Sequence, residues 1–224
     1  MQLIRNIRVT AWTAAILTAL WVALTALSVG GVDSSWDERE LLQWAADPDI
    51  FTTANYAEML LVTTSVVVLF ALLAVYFRER FPATVLIGLL FLPVYAGLQY
   101  ASYGLQLSVV PSLARRALEE PDSAALALQL LQIRSDTVVG LLNGLGYAIL
   151  AVPSMLYGRL LELDRKRRAG ILLFANGVLC LIGLIGYILD LTALSLGTPA
   201  GGVLFLLSLI AIAAAFRSPK EREA

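Results

Sequence analysis

Glu58, Asp136 and Asp190 are carboxylates within or at the rims of long apolar stretches, with Gln99, Tyr103, Gln106, Asn143, Tyr147 and Tyr187 recurring around them. Polar groups at such positions are costly in a membrane and face a bundle interior or a cavity. Helical spacing organises them. Tyr95, Gln99, Tyr103 and Gln106 follow intervals of 4, 4 and 3, which draws one polar-aromatic stripe at 3.6 residues per turn. Asp136, Asn143 and Tyr147 follow intervals of 7 and 4, and Asn176, Tyr187 and Asp190 fall near one face with Gly183 between them. Glu58 has Ser65 two turns further along its own face. Carboxylates in this setting bind or exchange a cation or a proton, while tyrosines and carboxamides orient a ligand by hydrogen bonds.

Other chemistries are excluded. The chain has no histidine, so it lacks the commonest general base and transition-metal ligand, and zinc, haem and copper sites lose their usual donors. There is no G-x-S-x-G elbow and no glycine-rich phosphate loop. The single cysteine, Cys180, sits in an apolar run and forms no internal disulfide. No lysine falls inside an apolar stretch, which excludes a retinal Schiff base. Intramembrane aspartyl chemistry needs two facing acids, and only Glu58, Asp136 and Asp190 are candidates. No catalytic residue, metal ligand set or cofactor is assigned, although a hard cation on carboxylate and carbonyl oxygens suits the residues present. A net charge of −1 draws the chain to no nucleic acid.

The elements that hold these residues follow from composition. Of 224 residues 59% are hydrophobic and 15% charged, against about 45–50% and about 25% in soluble domains. A membrane-spanning helix takes about 20 apolar residues, and six stretches qualify: residues 9–29, 56–77, 82–110, 137–157, 170–191 and 196–216. The expected fold is an all-α integral membrane protein, one six-span helical bundle over residues 1–224. The first apolar run exceeds the 7–15-residue core of a secretory signal, which predicts a retained span. Arg5, Arg8, Arg78, Arg80, Arg159, Arg165, Lys166, Arg167, Arg168, Arg217, Lys220 and Arg222 fall on one side of these spans. Only Arg39, Arg115, Arg116 and Arg134 fall on the other. The positive-inside rule then puts both termini in the cytoplasm of a plasma (inner) membrane protein.

The external loops carry helical patterns of their own. Ser35 and Glu38 have the spacing of a capping box ahead of Trp36, Leu41 and Trp44, and Asp47-Pro48 ends the pattern. A short interfacial helix with its tryptophans among the headgroups is expected, and a lid over an external pocket is the functional alternative. The loop from Ser112 to Ser135 breaks at Glu120-Pro121-Asp122, where Asp122 or Ser123 can cap a new helix that leads through residues 124–133 into the fourth span. The basic run Arg165-Lys166-Arg167-Arg168 is a topology signal that also suits anionic headgroups.

On this topology Glu58, Gln99, Tyr103, Gln106, Asp136 and Asp190 all lie in the outer half, as an outward-opening polar cavity requires. The same residues also admit purely structural roles. Asn55 and Glu58 can form a capping pair, Arg134 and Asp136 an ion pair, and Gln99 and Asn143 interhelical glue. Close packing is expected at the pairs Gly140/Gly144, Gly97/Ala101 and Gly183/Gly186. Pro93 and Pro153 should kink their helices, and Pro199 with Gly201-Gly202 should weaken the start of the sixth span. The two halves show no inverted repeat of the transporter kind.

From Asp47 the chain reads D-P-D-I-F-T-T-A-N-Y-A-E-M-L-L and runs on to Val75-Tyr76. From Gly140 it reads G-L-L-N-G-L-G-Y-A-I-L-A-V-P-S-M-L-Y-G-R-L-L, then a basic loop, Gly170 and Gly177. These stretches resemble a bacterial membrane family, domain of unknown function 4386, with Thr53, Ala54 and Asn55 matching its segment before the second span. The resemblance implies a polytopic fold and brings no site residues.

The leading expectation is a small membrane protein whose outward-facing polar cavity binds or transports a small ligand, ion or proton through Glu58, Gln99, Tyr103, Gln106, Asp136, Asn143, Tyr147, Tyr187 and Asp190. The alternatives are a non-catalytic scaffold or accessory subunit, and thirdly an intramembrane enzyme. Expected partners are membrane lipids, a small ligand or cation, and a second copy or another protein. The topology is tested with cysteines at Ser34 and Ser218 in a Cys180-free background. In intact cells an impermeant thiol reagent should label Ser34→Cys and spare Ser218→Cys; the reverse pattern overturns the orientation.

Overall fold

The computed structural model describes residues 1–29, 36–134, 136–189 and 191–217. Among them there is no strand. An apolar backbone in lipid has no water to bond with, so each run closes its hydrogen bonds within itself as a helix. The helices are α1 (Gln2–Val29), α2 (Glu38–Ala46), α3 (Ile50–Phe77), α4 (Pro82–Glu119), α5 (Ala124–Gln129), α6 (Val138–Leu163), α7 (Arg167–Ile188), α8 (Thr192–Ser195) and α9 (Gly197–Ala215). Six of them are long and apolar enough to cross a membrane, so the chain is a multi-pass membrane protein. Each of the six expected spans falls on one of these helices, with five of the twelve ends extended by three to nine residues.

The six long helices form a ring. α1 packs on α3, α3 on α4, α4 on α6, α6 on α7 and α7 on α9, and α9 returns to α1. The two ends of the ring's interior differ. Toward the loops at residues 78–81 and 164–166 it is filled by aromatic side chains. Phe70 of α3 meets Tyr157 of α6 edge to face at 5.4 Å, and the Tyr157 hydroxyl donates to the Val85 carbonyl of α4 at 3.2 Å. Tyr76 meets Phe216 at 5.1 Å. Lys166 turns inward, donates to Asp164 and Tyr76, and lies over the Phe216 ring at 4.7 Å. One residue of the expected topology signal therefore pins the end of α9. Its neighbour Arg165 takes the left-handed conformation at φ 61° that makes this turn.

Glycine sets the spacing of α6, α7 and α9. A Cβ on Gly158 would lie 2.8 Å from the Gly170 carbonyl, and one on Gly170 would lie 2.5 Å from the Gly158 carbonyl. Gly177 faces Ala151, Gly183 faces Thr198, and Gly186 faces residues 194–195. Three of the expected close-packing positions differ. Gly97 is exposed, with nothing within 4 Å of where a Cβ would stand, so Gly97/Ala101 is no helix contact. Gly140 makes room for the Arg134 carbonyl of the preceding loop, and Gly144 has only ordinary contact with the Tyr187 ring.

The cap that covers the other end departs from expectation in three ways. The capping box is made by Asp37 and Glu40, each side chain bonded to the other's amide at 2.9 and 2.8 Å. The proposed Ser35 cap lies outside the described residues, and Glu38 is the first residue of the helix. α3 begins earlier than its apolar run, capped by Asp49 on the Thr52 amide at 2.6 Å, so Asn55 and Glu58 are not a capping pair. α4 continues through Pro93 and Pro111 to Glu119. At 1.5 Å per residue it is about 57 Å long, well beyond the roughly 30 Å of a hydrocarbon layer. Its last turns carry Val110, Ala114 and Ala117, which bury Leu41, Leu42 and Ala45 of α2 and Ala127 and Leu128 of α5 in a second small core. Arg115 fastens the end of α2 through the Ala46 carbonyl at 2.8 Å. α5 stops at Gln129 rather than leading into the fourth span, and residues 130–134 and 136–137 are irregular.

The glycine contacts give the first structural prediction. Gly158→Ala and Gly170→Ala should each cost about 1–3 kcal/mol, the usual effect of overpacking. Gly97→Ala should be neutral or stabilising by up to about 1 kcal/mol, from helix propensity alone. Melting of the three variants in one detergent checks the ordering.

Candidate functional site

Beneath the α2–α5 cap the ring does not fill. A cavity of about 750 Å³ lies there, walled by α1, α3, α4, α6, α7 and α9. It is within the range of small-molecule sites, roughly 300–1,000 Å³. A side pocket of about 100 Å³ adjoins it among Gln132, Gly140, Asn143, Tyr187 and Thr198. Apolar residues make most of the wall, among them Val22, Met59, Val62, Leu150, Val203 and Phe205. Polar side chains are interspersed, so the site is less polar than the stripes alone suggested. No described residue of the wall is charged.

The third-span stripe is real and buried, but its members divide. Tyr95 and Tyr103 line the cavity, and Tyr103 shares a 3.2 Å hydroxyl bond with Tyr147 of α6. Gln99 is turned into the α4–α6 contact, where its amide donates to the Asn143 carbonyl at 3.3 Å and packs on Gly146. Gln106 holds the irregular loop, donating to the Leu130 carbonyl at 2.7 Å and accepting from the Gln132 amide at 3.3 Å. Asn143, Tyr147 and Tyr187 are all wall residues. Pro93 and Pro153 leave α4 and α6 continuous.

The carboxylates stand elsewhere. Asp136 is 64% exposed and is held by Arg134 through bonds of 2.6 and 2.9 Å, the ion pair its spacing allowed. The guanidinium keeps its carboxyl below the usual carboxylate range. Glu58 is 8% exposed and sits one turn beyond Asn55 on α3, outside the cavity wall, with Oε1 lacking a hydrogen-bond partner. Asp190 lies outside the described residues.

The first span supplies a face that went unread. Thr18, Trp21, Thr25 and Ser28 follow intervals of 3, 4 and 3, the same helical signature as the stripe of α4, and all four line the cavity. Two of them tie α1 to α3. Asn55 donates to Thr25 Oγ1 at 2.7 Å, and Ser28 pairs with Thr52 at 3.1 Å. Deeper in the wall Asn176 donates to Ser154 at 3.2 Å and faces Cys180. Trp44 of α2 also reaches the cavity, so α2 is part of its roof.

Nine buried side-chain polar atoms among the described residues lack a partner, and five belong to the cavity wall: Thr18 Oγ1, Trp21 Nε1, Gln132 Oε1, Asn143 Oδ1 and Thr198 Oγ1. Three of the five stand against tyrosines that can bond them: the Tyr103 hydroxyl faces Gln132 and Asn143, and Tyr187 faces Thr198. An unmet buried polar atom costs about 1–3 kcal/mol. No family model, curated protein or solved structure matches this chain.

Two substitutions separate wall supports from solvated charge. Gln106→Leu strands the Leu130 carbonyl and the Gln132 amide and should cost about 1–3 kcal/mol. Asp136→Asn should cost less than about 1 kcal/mol, because its ion pair is exposed. That small contribution exists above the unfolded carboxyl pKa near 4 and is lost as pH falls through the lowered folded value, so the two melting curves should converge in acid.

Proposed function

We propose that this multi-pass membrane protein binds a small organic molecule in the cavity of its helical ring. The observation that carries this reading is a cavity of about 750 Å³ whose apolar wall is interrupted by neutral polar side chains, with Thr18 Oγ1 and Trp21 Nε1 lacking hydrogen-bond partners. A structural bundle gains nothing by keeping such a space, since lost packing and unmet polar groups both cost stability. The cavity lies beneath the end that bears α2, and the distribution of basic residues favours an outward-facing site, cytoplasmic termini and a plasma membrane location. Tyr103, Asn143, Tyr147 and Tyr187 orient the ligand in this reading, joined by Thr18, Trp21 and Thr198. Gln99, Gln106 and Asp136 act as supports. The resemblance to domain of unknown function 4386 agrees with a six-span fold and adds no ligand.

An ion or proton site at Glu58 is the second reading, favoured by its unpartnered oxygen. The two readings predict different variants. Gly202 borders the cavity, and nothing lies within 4 Å of where its Cβ would stand, so Gly202→Phe fills the space without a clash at its first atom. Melting in detergent with a panel of uncharged metabolites and of cations should show a shift in the wild type. Gly202→Phe should abolish it and Glu58→Gln should preserve it. A shift that survives Gly202→Phe and disappears in Glu58→Gln moves the site to the carboxylate.

A further inference from the structure

The cavity has a roof and a floor but an incomplete side. Its floor is formed by Val62, Leu150, Asn176 and Phe205. Trp44 and Ile133 stand at the capped end, and α2 is held there by its own small core and by Arg115. The side between α1 and α9 is different. In the half nearer the floor these helices close, with Ile7, Ala11, Ala14 and Ala15 of α1 sharing the core with Leu209, Ile212 and Ala213 of α9. Toward the cap the cavity is lined by Val22 and Ala26 on α1 and by Pro199 and Val203 on α9. Of these, Val22 is 44% and Val203 57% exposed. Residues that line the cavity and are also open to the surface mark a mouth beside these two helices. At the depth of two apolar spans, this mouth gives onto hydrocarbon.

Resting on the reading that the cavity binds a small molecule, we infer that its occupant is an uncharged lipid with a hydroxyl- or carbonyl-bearing head, entering sideways from the bilayer between α1 and α9. The head meets neutral donors and acceptors: Thr18, Trp21, Asn143 and Thr198. These atoms are shielded behind the wall, so the ligand reaches them as the side chains turn about their own bonds. A phosphate or carboxylate head would be desolvated against a wall whose described residues offer no cation, which is strongly unfavourable. The apolar remainder of the molecule lies along Val22, Met59, Val203 and Phe205 and leaves between the two helices.

Photolabelling of the full chain in lipid nanodiscs tests both parts. The probes are a long-chain alcohol with a diazirine midway along its chain, and the matching amine, carboxylate and phosphate monoester. The alcohol should label α1 and α9 at cavity-lining residues, compete with unlabelled long-chain alcohol, and exceed each charged probe roughly tenfold. Val22→Trp and Val203→Trp, two independent obstructions at exposed positions, should each reduce that labelling, while Gln43→Trp on the exposed face of α2 should not. Retention of labelling in both mouth variants overturns lateral entry. Equal labelling by any charged probe overturns the uncharged head. If no probe labels a cavity residue while an uncharged metabolite still shifts melting in a Gly202-dependent manner, the lipid inference fails and the cavity reading stands. If that shift is absent too, both fail.

Discussion

The close approach of α6, α7 and α9 through glycine is the constraint on which the rest of the bundle depends. Gly158 and Gly170 bring α6 and α7 to backbone contact, and Gly183, Gly197 and Gly201 do the same for α7 and α9. In lipid, where apolar side chains gain little by leaving their surroundings, such contact is a main source of helix association. With those three helices fixed, the ring must span the remaining distance with α1, α3 and α4. Large side chains bridge it at one end, where Phe70, Tyr157, Tyr76 and Phe216 meet. Toward the other end the bridging residues are threonines, serines, valines and tyrosines around open space.

That asymmetry explains how the polar residues are divided. A carboxamide in a tight helix contact has one stable use, a bond to a neighbouring backbone, and Gln99 and Gln106 are spent that way. Tyr95 and Tyr103 of the same stripe, one turn away, line the space instead. Polar packing and cavity lining are therefore neighbouring outcomes of one stripe, decided by which helix stands opposite each turn.

Much of this was legible in the sequence. Spans can be read from apolar length because lipid leaves the backbone no alternative to a helix, and the α4 stripe can be read from its 4, 4, 3 intervals. The stripe of Thr18, Trp21, Thr25 and Ser28 carried an equal signal, but threonine, serine and tryptophan are ordinary residues in a spanning helix and drew no notice beside carboxylates. Glu58 and Asp136 drew notice by charge. Charge measures the cost of burial and not direction, and only the packed ring shows Asp136 turned to solvent and Glu58 standing behind the wall. Gly97 failed as a packing site for the same reason, since spacing identifies a face without saying whether a helix or lipid covers it. The second core of α2, α4 and α5 was hidden because α4 continues as helix beyond its apolar run, through Pro111.

An experimental density map of the protein in a lipid nanodisc tests the central claim most directly. The account predicts elongated density that begins beside Asn143 and Tyr147 and leaves between Val22 and Val203. A cavity closed by side chains, or holding only discrete water-sized peaks with α1 and α9 in contact along their full length, would contradict it.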